Sequence, residues 1–326
     1  MNLRNQNTML SRVADSLYWM SRYLERAEHT ARLIDVDLQL QLEQTPEPDG
    51  GRSLRLLAAS YIDALSSQPP EDSASLTHTL TFERTNPSSI VSCLASAREN
   101  LRQVREQCSS EMWEQLNRLY LKTVNTEPSD SLNVHRYYWS VQEGAHLFQG
   151  ITDTTMLHGQ GWHYIQLGRY VERTDALATV IGTHFSYLPH FVNQAVESEE
   201  YLEWVGLLKS CSAFEAYCKT YTAELRPLRV AEFLLLNREL PHAVLFSVDM
   251  VHAALQAIAQ LTDRRADEAI RVMGRLRAML AYSSIDEVMA IGASNYMNNI
   301  RAQCAQVHTA IQQIYFDYPV ESAMVG

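Results

Sequence analysis

Two short stretches concentrate the side chains that could do chemistry. RYLERAEHTARLI (22–34) places Arg22, Glu25, Arg26 and Glu28 within seven residues, and GRYVERTDALATVI (168–181) places Arg169, Glu172, Arg173 and Asp175 in the same order. A carboxylate flanked by guanidinium groups has three uses. It can act as a general base, but only if its pKa is raised, and neighbouring arginines lower it. The arginines can hold a ligand carboxylate or phosphate in their planar fork. Or the charges can neutralise one another inside the fold. Other sets are weaker. EGAH (143–146) has the Glu-x-x-His spacing of di-iron bundles, which need a second helical copy. The other occurrence, ELPH (239–242), contains a proline and reads as a helix start. His158 and His163 straddle HGQG (158–161) and read as turn or core residues. Ser109 with the residues after it reads as a helix cap. No phosphate-cradling glycine loop, HExxH or GxSxG occurs. No metal site and no cofactor is expected, and no catalytic residue is assigned.

The charged stretches lie on helices. At 100° per residue, Arg22, Glu25, Arg26 and His29 share one sector, while Met20, Leu24, Ala27, Ala31 and Ile34 centre on the other side. Arg169, Glu172 and Arg173 keep the same phase against Leu167, Val171, Ala178 and Ile181. Aromatic residues border both stripes: Tyr18, Trp19 and Tyr23 on one, Tyr170 on the other, with Trp162 somewhat earlier. Aromatics beside arginine suggest a covered face. If the stripes face each other, four arginines meet two glutamates, and the positive excess needs further carboxylates or a bound anion. Asp15, Glu28, Asp35 and Asp175 are near in sequence. A structural Arg–Glu network is the leading expectation, ahead of an anion or partner-carboxylate site and of an exposed face.

The rest of the chain agrees with a helical scaffold. Apolar residues make up 46% of the 326 and charged residues 20%, with few Gly and Pro, which excludes a turn-rich β fold and a disordered chain. The net charge of -11 disfavours nucleic acid. Five widely spaced cysteines (93, 108, 211, 218, 304) read as reduced core thiols. The N-terminal residues lack the apolar core of a signal peptide, and no run approaches the ~20 apolar residues of a membrane span. The expected location is cytoplasmic. Apolar spacing of three and four predicts helices over 9–43, 53–67, from TNPSS (85–89) to about 108, Glu111–Val124, 131–157, 160–188, 197–224, 227–236, 242–260, 263–281 and 284–316. Asn86 is the candidate cap of the third, with Pro87 in its first turn. The fold class is all-α.

A shift of 147 residues superposes Arg22, Tyr23, Glu25, Arg26, Glu28, Ala31 and Ile34 on Arg169, Tyr170, Glu172, Arg173, Asp175, Ala178 and Ile181. NPSSI (86–90) is a fainter echo of LPHAV (240–244). An internal duplication follows: one helical body with halves of about 9–157 and 158–322, related by a pseudo-twofold axis.

The chain resembles the alpha-E family of bacterial helical proteins. The resemblance is carried by LSRVADSLYWMSRYLERAEHTARLID (10–35), NPSSIVSCLASARENLRQVREQCSSEMWEQLN (86–117), GITDTTMLHGQGWHYIQLGRYVERTDALATVI (150–181) and FLLLNRELPHAVLFSV (233–248). One departure is that NRELPHAV stands where the family usually has a turn rich in Asp, Pro and Arg. The resemblance implies a helical fold with a motif built on Glu25–Arg26 and Glu172–Arg173. It also implies partners, because family members are encoded beside, or fused to, a circularly permuted ATP-grasp ligase and a transglutaminase-like protease. Some clusters also hold a proteasome-like peptidase. The expected function is a non-catalytic partner, or a presenter of a peptide substrate, for the ligase in a peptide-modification system. The alternative is an enzyme of the same pathway with Glu25 or Glu172 as general base. A homo-oligomer built on an exposed helix face is a third reading.

Overall fold

The computed structural model describes residues 9–43, 73–126, 131–187, 200–222, 224–262 and 267–316. The helix expected over 53–67 lies outside them. Among the described residues the protein is all-α, with thirteen α-helices and no strand. They are α1 (Ser11–Glu43), α2 (Ser73–Thr81), α3 (Ile90–Gln103), α4 (Ser110–Val124), α5 (Ser131–Thr155), α6 (Gln160–Tyr187), α7 (Tyr201–Ser210), α8 (Phe214–Tyr221), α9 (Pro227–Leu236), α10 (Val244–Leu261), α11 (Asp267–Tyr282), α12 (Ile285–Ile291) and α13 (Ala293–Ile311). A π turn, Gln312–Phe316, extends α13.

The two long helices α1 and α6 run parallel through the centre. Contacts step along both in the same direction: Met9 to Gln160, Tyr18 to Gly168, Glu25 to Arg173. They approach closely because small residues line the seam. A Cβ on Gly168 would fall 2.3 Å from the Tyr18 carbonyl oxygen, and Ser21 Oγ donates to the Ile165 carbonyl at 2.7 Å. Parallel neighbours need a long return path, which helices α2 to α5 supply. Helix α5 lies antiparallel on α1, from Asp35–His135 to Glu25–Gln149. Helix α13 lies antiparallel on α6, from Gly182–Ser294 to Asp175–Arg301. Helix α3 also packs on α1, and α10 on α6.

Several boundaries differ from the periodicity. The segment expected as one helix over 197–224 breaks after Ser210, where Ser212 takes φ 48°, so Cys211 and Cys218 lie on different elements. The segment over 284–316 breaks at Gly292, whose φ of 93° a side chain would strain. Asn86 is not a helix cap. Its Oδ1 accepts from Ser88 N at 2.9 Å, closing a turn, and Ser89 caps α3 by accepting from Ser92 N. The third helix ends at Gln103 and gives way to a 3₁₀ turn before Cys108. Ser109 does cap α4, accepting from Met112 N at 3.2 Å. All five cysteines are free thiols. Helix α10 has the length and mean hydropathy of a short membrane span, contrary to the reading that no run comes close. Its Val244, Leu245, Val248, Val251, Leu255 and Ile258 are buried in the core, which accounts for that apolarity.

Candidate functional site

The charged stripes of α1 and α6 face each other and are buried. Glu172 receives two guanidinium groups, Arg22 Nε on Oε2 and Arg26 Nε on Oε1, each at 2.7 Å. Glu25 receives Arg173 in bidentate fashion, Nε at 2.5 Å and Nη2 at 3.1 Å, and Gln149 Nε2 at 3.3 Å. The Glu25 and Glu172 side chains are only 2% and 1% exposed. With the 147-residue offset removed, Arg26–Glu172 and Arg173–Glu25 are the same pair read from opposite helices. Each arginine also reaches a turn on its own side: Arg26 Nη1 donates to Ser88 Oγ at 3.4 Å, and Arg173 Nη1 to the Pro241 carbonyl at 3.3 Å. These turns sit at the starts of α3 and α10, so each motif fixes the entry of the helix that packs on it.

The reciprocity stops at the outer arginines. Arg22 sits against Trp19, 4.9 Å from the ring centroid, and Tyr18, at 5.6 Å. Its Nη1 donates to His308 Nδ1 at 3.2 Å. Guanidinium is only a donor, so Nδ1 must accept, and Tyr18 OH donates to the same nitrogen at 2.9 Å. Burial first, and Arg22 second, lower His308 to about 4, which keeps the ring neutral. The equivalent Arg169 is also buried, yet its hydrogen bond goes to Gln166 Oε1 at 3.2 Å. Burial, then Arg173, pushes its pKa down. So three arginines, not four, pair with the two glutamates.

The electrostatics favour an ionised Glu172. Burial alone would raise Glu172, but Arg26 and Arg22 outweigh it and hold the carboxyl at about 2. Tyr18 is pushed up to about 12, chiefly by burial. His29 lies on the charged side of α1, fully enclosed, with Nδ1 3.4 Å from Arg32 Nη2. Burial, then Arg32, depresses it to about 3. Asp175 does not join the central pairs. It accepts from Arg301 Nε at 3.2 Å, and burial raises its pKa. Among the aromatics, Tyr23 stacks on Trp19 at 5.4 Å and Tyr170 lies 5.1 Å from the Arg173 guanidinium. Trp162 is elsewhere, stacked on His158 at 4.2 Å with its Nε1 donating to Asp153.

Sequence reasoning missed a further buried pair, Arg32–Glu28 at 2.7 Å. Their i,i+4 spacing was the available signal. Arg32 also donates to the Ser210 carbonyl and to Ser212 Oγ, clamping the α7–α8 break to α1. His146 of EGAH approaches Glu28 at 3.4 Å, while Glu143 is exposed. Among the described residues no group of three His, Cys, Asp or Glu side chains is placed to hold a metal ion.

Comparison with known proteins places this geometry in context. The model of a family described as "a predicted alpha-helical domain with a conserved ER motif" matches residues 9–316. An uncharacterized protein of Mycobacterium bovis is similar at 22% identity over 324 residues, covering 93% of this chain. Uncharacterized proteins from two strains of Mycobacterium tuberculosis are similar at 22% and 21% identity. The chain spans about a third of the length of these relatives, 36%. No solved structure matches it.

Proposed function

The chain belongs to the Alpha-E family, and from that premise we propose that it is a non-catalytic helical partner, or substrate-presenting protein, for an ATP-grasp amide ligase in a bacterial peptide-modification system. The observation that carries this reading is the saturation of its two central carboxylates. Every oxygen of Glu25 and Glu172 is engaged by arginine within the fold. Glu172, held at about 2, is a poor proton acceptor near neutral pH. The enzyme alternative, with Glu25 or Glu172 as general base, would have to free a carboxylate that arginine engages at both oxygens, and the pairs serve better as a clasp between α1 and α6. Relatives with far more chain than this body support a role alongside other polypeptide. A transglutaminase-like protease is a further partner on this reading, and an acidic peptide end a candidate ligand. Since the ligase uses ATP, the location is cytoplasmic.

The same reading takes the body as two duplicated halves, about 9–157 and 158–322, around a pseudo-twofold axis parallel to α1 and α6. Reciprocal pairing supports it, as does repetition of helix order. Helices α3 and α10 follow proline turns touched by their own motif, and α5 and α13 lie antiparallel on α1 and α6.

Co-expression with the ATP-grasp protein followed by size-exclusion chromatography tests the function. One co-eluting peak is expected; separate peaks with and without ATP would contradict it. Glu25→Gln and Glu172→Gln, made singly, address the alternative. Loss of ligated product with fold and complex intact would favour an enzyme.

A further inference from the structure

Arg169 keeps one edge of its guanidinium to spare. The residue is 6% exposed, and among the described residues its hydrogen bonding is confined to Nη1, which donates to Gln166 Oε1 at 3.2 Å. Nε and Nη2, the flat side of the fork, have no hydrogen-bond partner there. Neither atom is sealed in, and both keep contact with solvent, in contrast to Arg226 Nε, which is buried without a partner. The chain Arg169–Gln166–Asp153 leads from this guanidinium to the surface at the last turns of α5, where Gln166 Nε2 donates to exposed Asp153 at 3.2 Å.

The other arginines of the motifs show what such an edge takes. One turn on, Arg173 places Nε and Nη2 on the carboxylate of Glu25. At the position 147 residues earlier, Arg22 gives Nε to Glu172 and lies against the Trp19 ring. The same offset sets Gln166 where Trp19 stands, so a neutral amide replaces the covering indole. Two carboxylates act on Arg169 electrostatically, Glu25 and Asp153, and both are engaged elsewhere. Glu25 holds Arg173 and Gln149, and Asp153 holds Trp162 and Gln166. A buried charge without a counter-charge is costly to the fold. A ligand carboxylate would remove that cost and match the planar edge.

We propose that the free Nε/Nη2 edge of Arg169 is a binding site for a peptide carboxylate. The proposal rests on the partner reading above, in which an acidic peptide end is a ligand, and gives that ligand its place. The clasp takes no part, since Glu25 and Glu172 are held by Arg173, Arg26 and Arg22. Binding adds an ion pair without breaking one.

The test is a titration of the full chain, isotope-labelled at arginine, with ionic strength held constant by chloride. The reporter is the Nε–H resonance that Arg169→Met removes; should that variant fail to fold, Arg169→Gln supplies the assignment. Four probes are compared. Acetylated dialanine carries only a chain-end carboxylate, acetylglutamate amide only a side-chain carboxylate, acetylated dialanine amide neither, and inorganic phosphate is the fourth. The expected result is a saturable shift with a carboxylate probe and roughly tenfold or more weaker binding of the amide, as loss of a charge-assisted bond requires. The tighter of the two carboxylate probes identifies the source. No saturable shift with either carboxylate, or equal binding of dialanine and its amide, overturns the proposal. Binding of phosphate alone overturns the peptide assignment. If the site fails while the chain still co-elutes with the ATP-grasp protein, the partner reading stands. Separate peaks with saturable carboxylate binding overturn the partner reading and leave the binding edge.

Discussion

Arg173 and Arg169 stand one turn apart on α6, both buried, and their surroundings give them opposite roles. Arg173 is matched by a bidentate carboxylate, whereas Arg169 has the neutral Gln166. Removing one partner of a buried pair costs roughly 3–5 kcal/mol, but an apolar replacement for an uncompensated buried charge is neutral or stabilising. Urea denaturation is therefore expected to show Arg173→Met strongly destabilised and Arg169→Met no less stable than the parent. The histidines set the pH response. His29 folds with a pKa of about 3 against an ordinary 6.5, so between those values the unfolded chain binds the extra proton. Stability must then fall as pH falls through that window, by up to ~1.4 kcal/mol per pH unit for one group. His308, at about 4, adds a loss of the same sign. Glu172, at about 2 against 4.5, adds another below about 4.5. His29→Asn should flatten the slope between pH 6.5 and 5, measured by urea midpoints. The residue types of this site were legible in the sequence because the repeat singled them out. The pairing was not: His308, Gln149 and Arg301 arrive from other helices, and nothing local distinguishes Arg169 from Arg22.

At the scale of elements, the clasp depends on how closely α1 and α6 approach, and Gly168 controls that distance. A methyl group there meets the Tyr18 backbone oxygen at 2.3 Å, and backbone cannot rotate away. Gly168→Ala should cost about 1–3 kcal/mol by forcing the helices apart. Gly150, inside α5, has nothing within 4 Å of its added Cβ. There alanine should stabilise by up to ~1 kcal/mol through helix propensity. Thermal melts of the two variants check this contrast, and equal effects would contradict it. Helix type and phase were legible because apolar spacing of three and four is sustained over long segments. The breaks were not, because they rest on backbone states. Ser212 takes positive φ with no glycine to announce it, and Gly292 looks like any isolated glycine. At the start of α3 the cap expected at Asn86 falls to Ser89, because the Asn86 Oδ1 is taken by an Asx turn to Ser88 N.

At the scale of the molecule, the two long helices meet through buried charge. Each half alone would expose apolar surface and leave Glu25 or Glu172 without its arginine from the other helix. Residues 9–157 and 158–322 expressed separately should fail to give a cooperative melt, and co-expression should restore one. Independent, cooperative folding of either half would contradict this. The central claim is that Glu25 and Arg173 hold α1 to α6, and a double-mutant cycle of Glu25→Gln and Arg173→Met by urea denaturation tests it most directly. The coupling energy should be at least ~1.5 kcal/mol, within the range for neighbouring groups in one network. A coupling near zero would mean that the pair is not what joins the two helices.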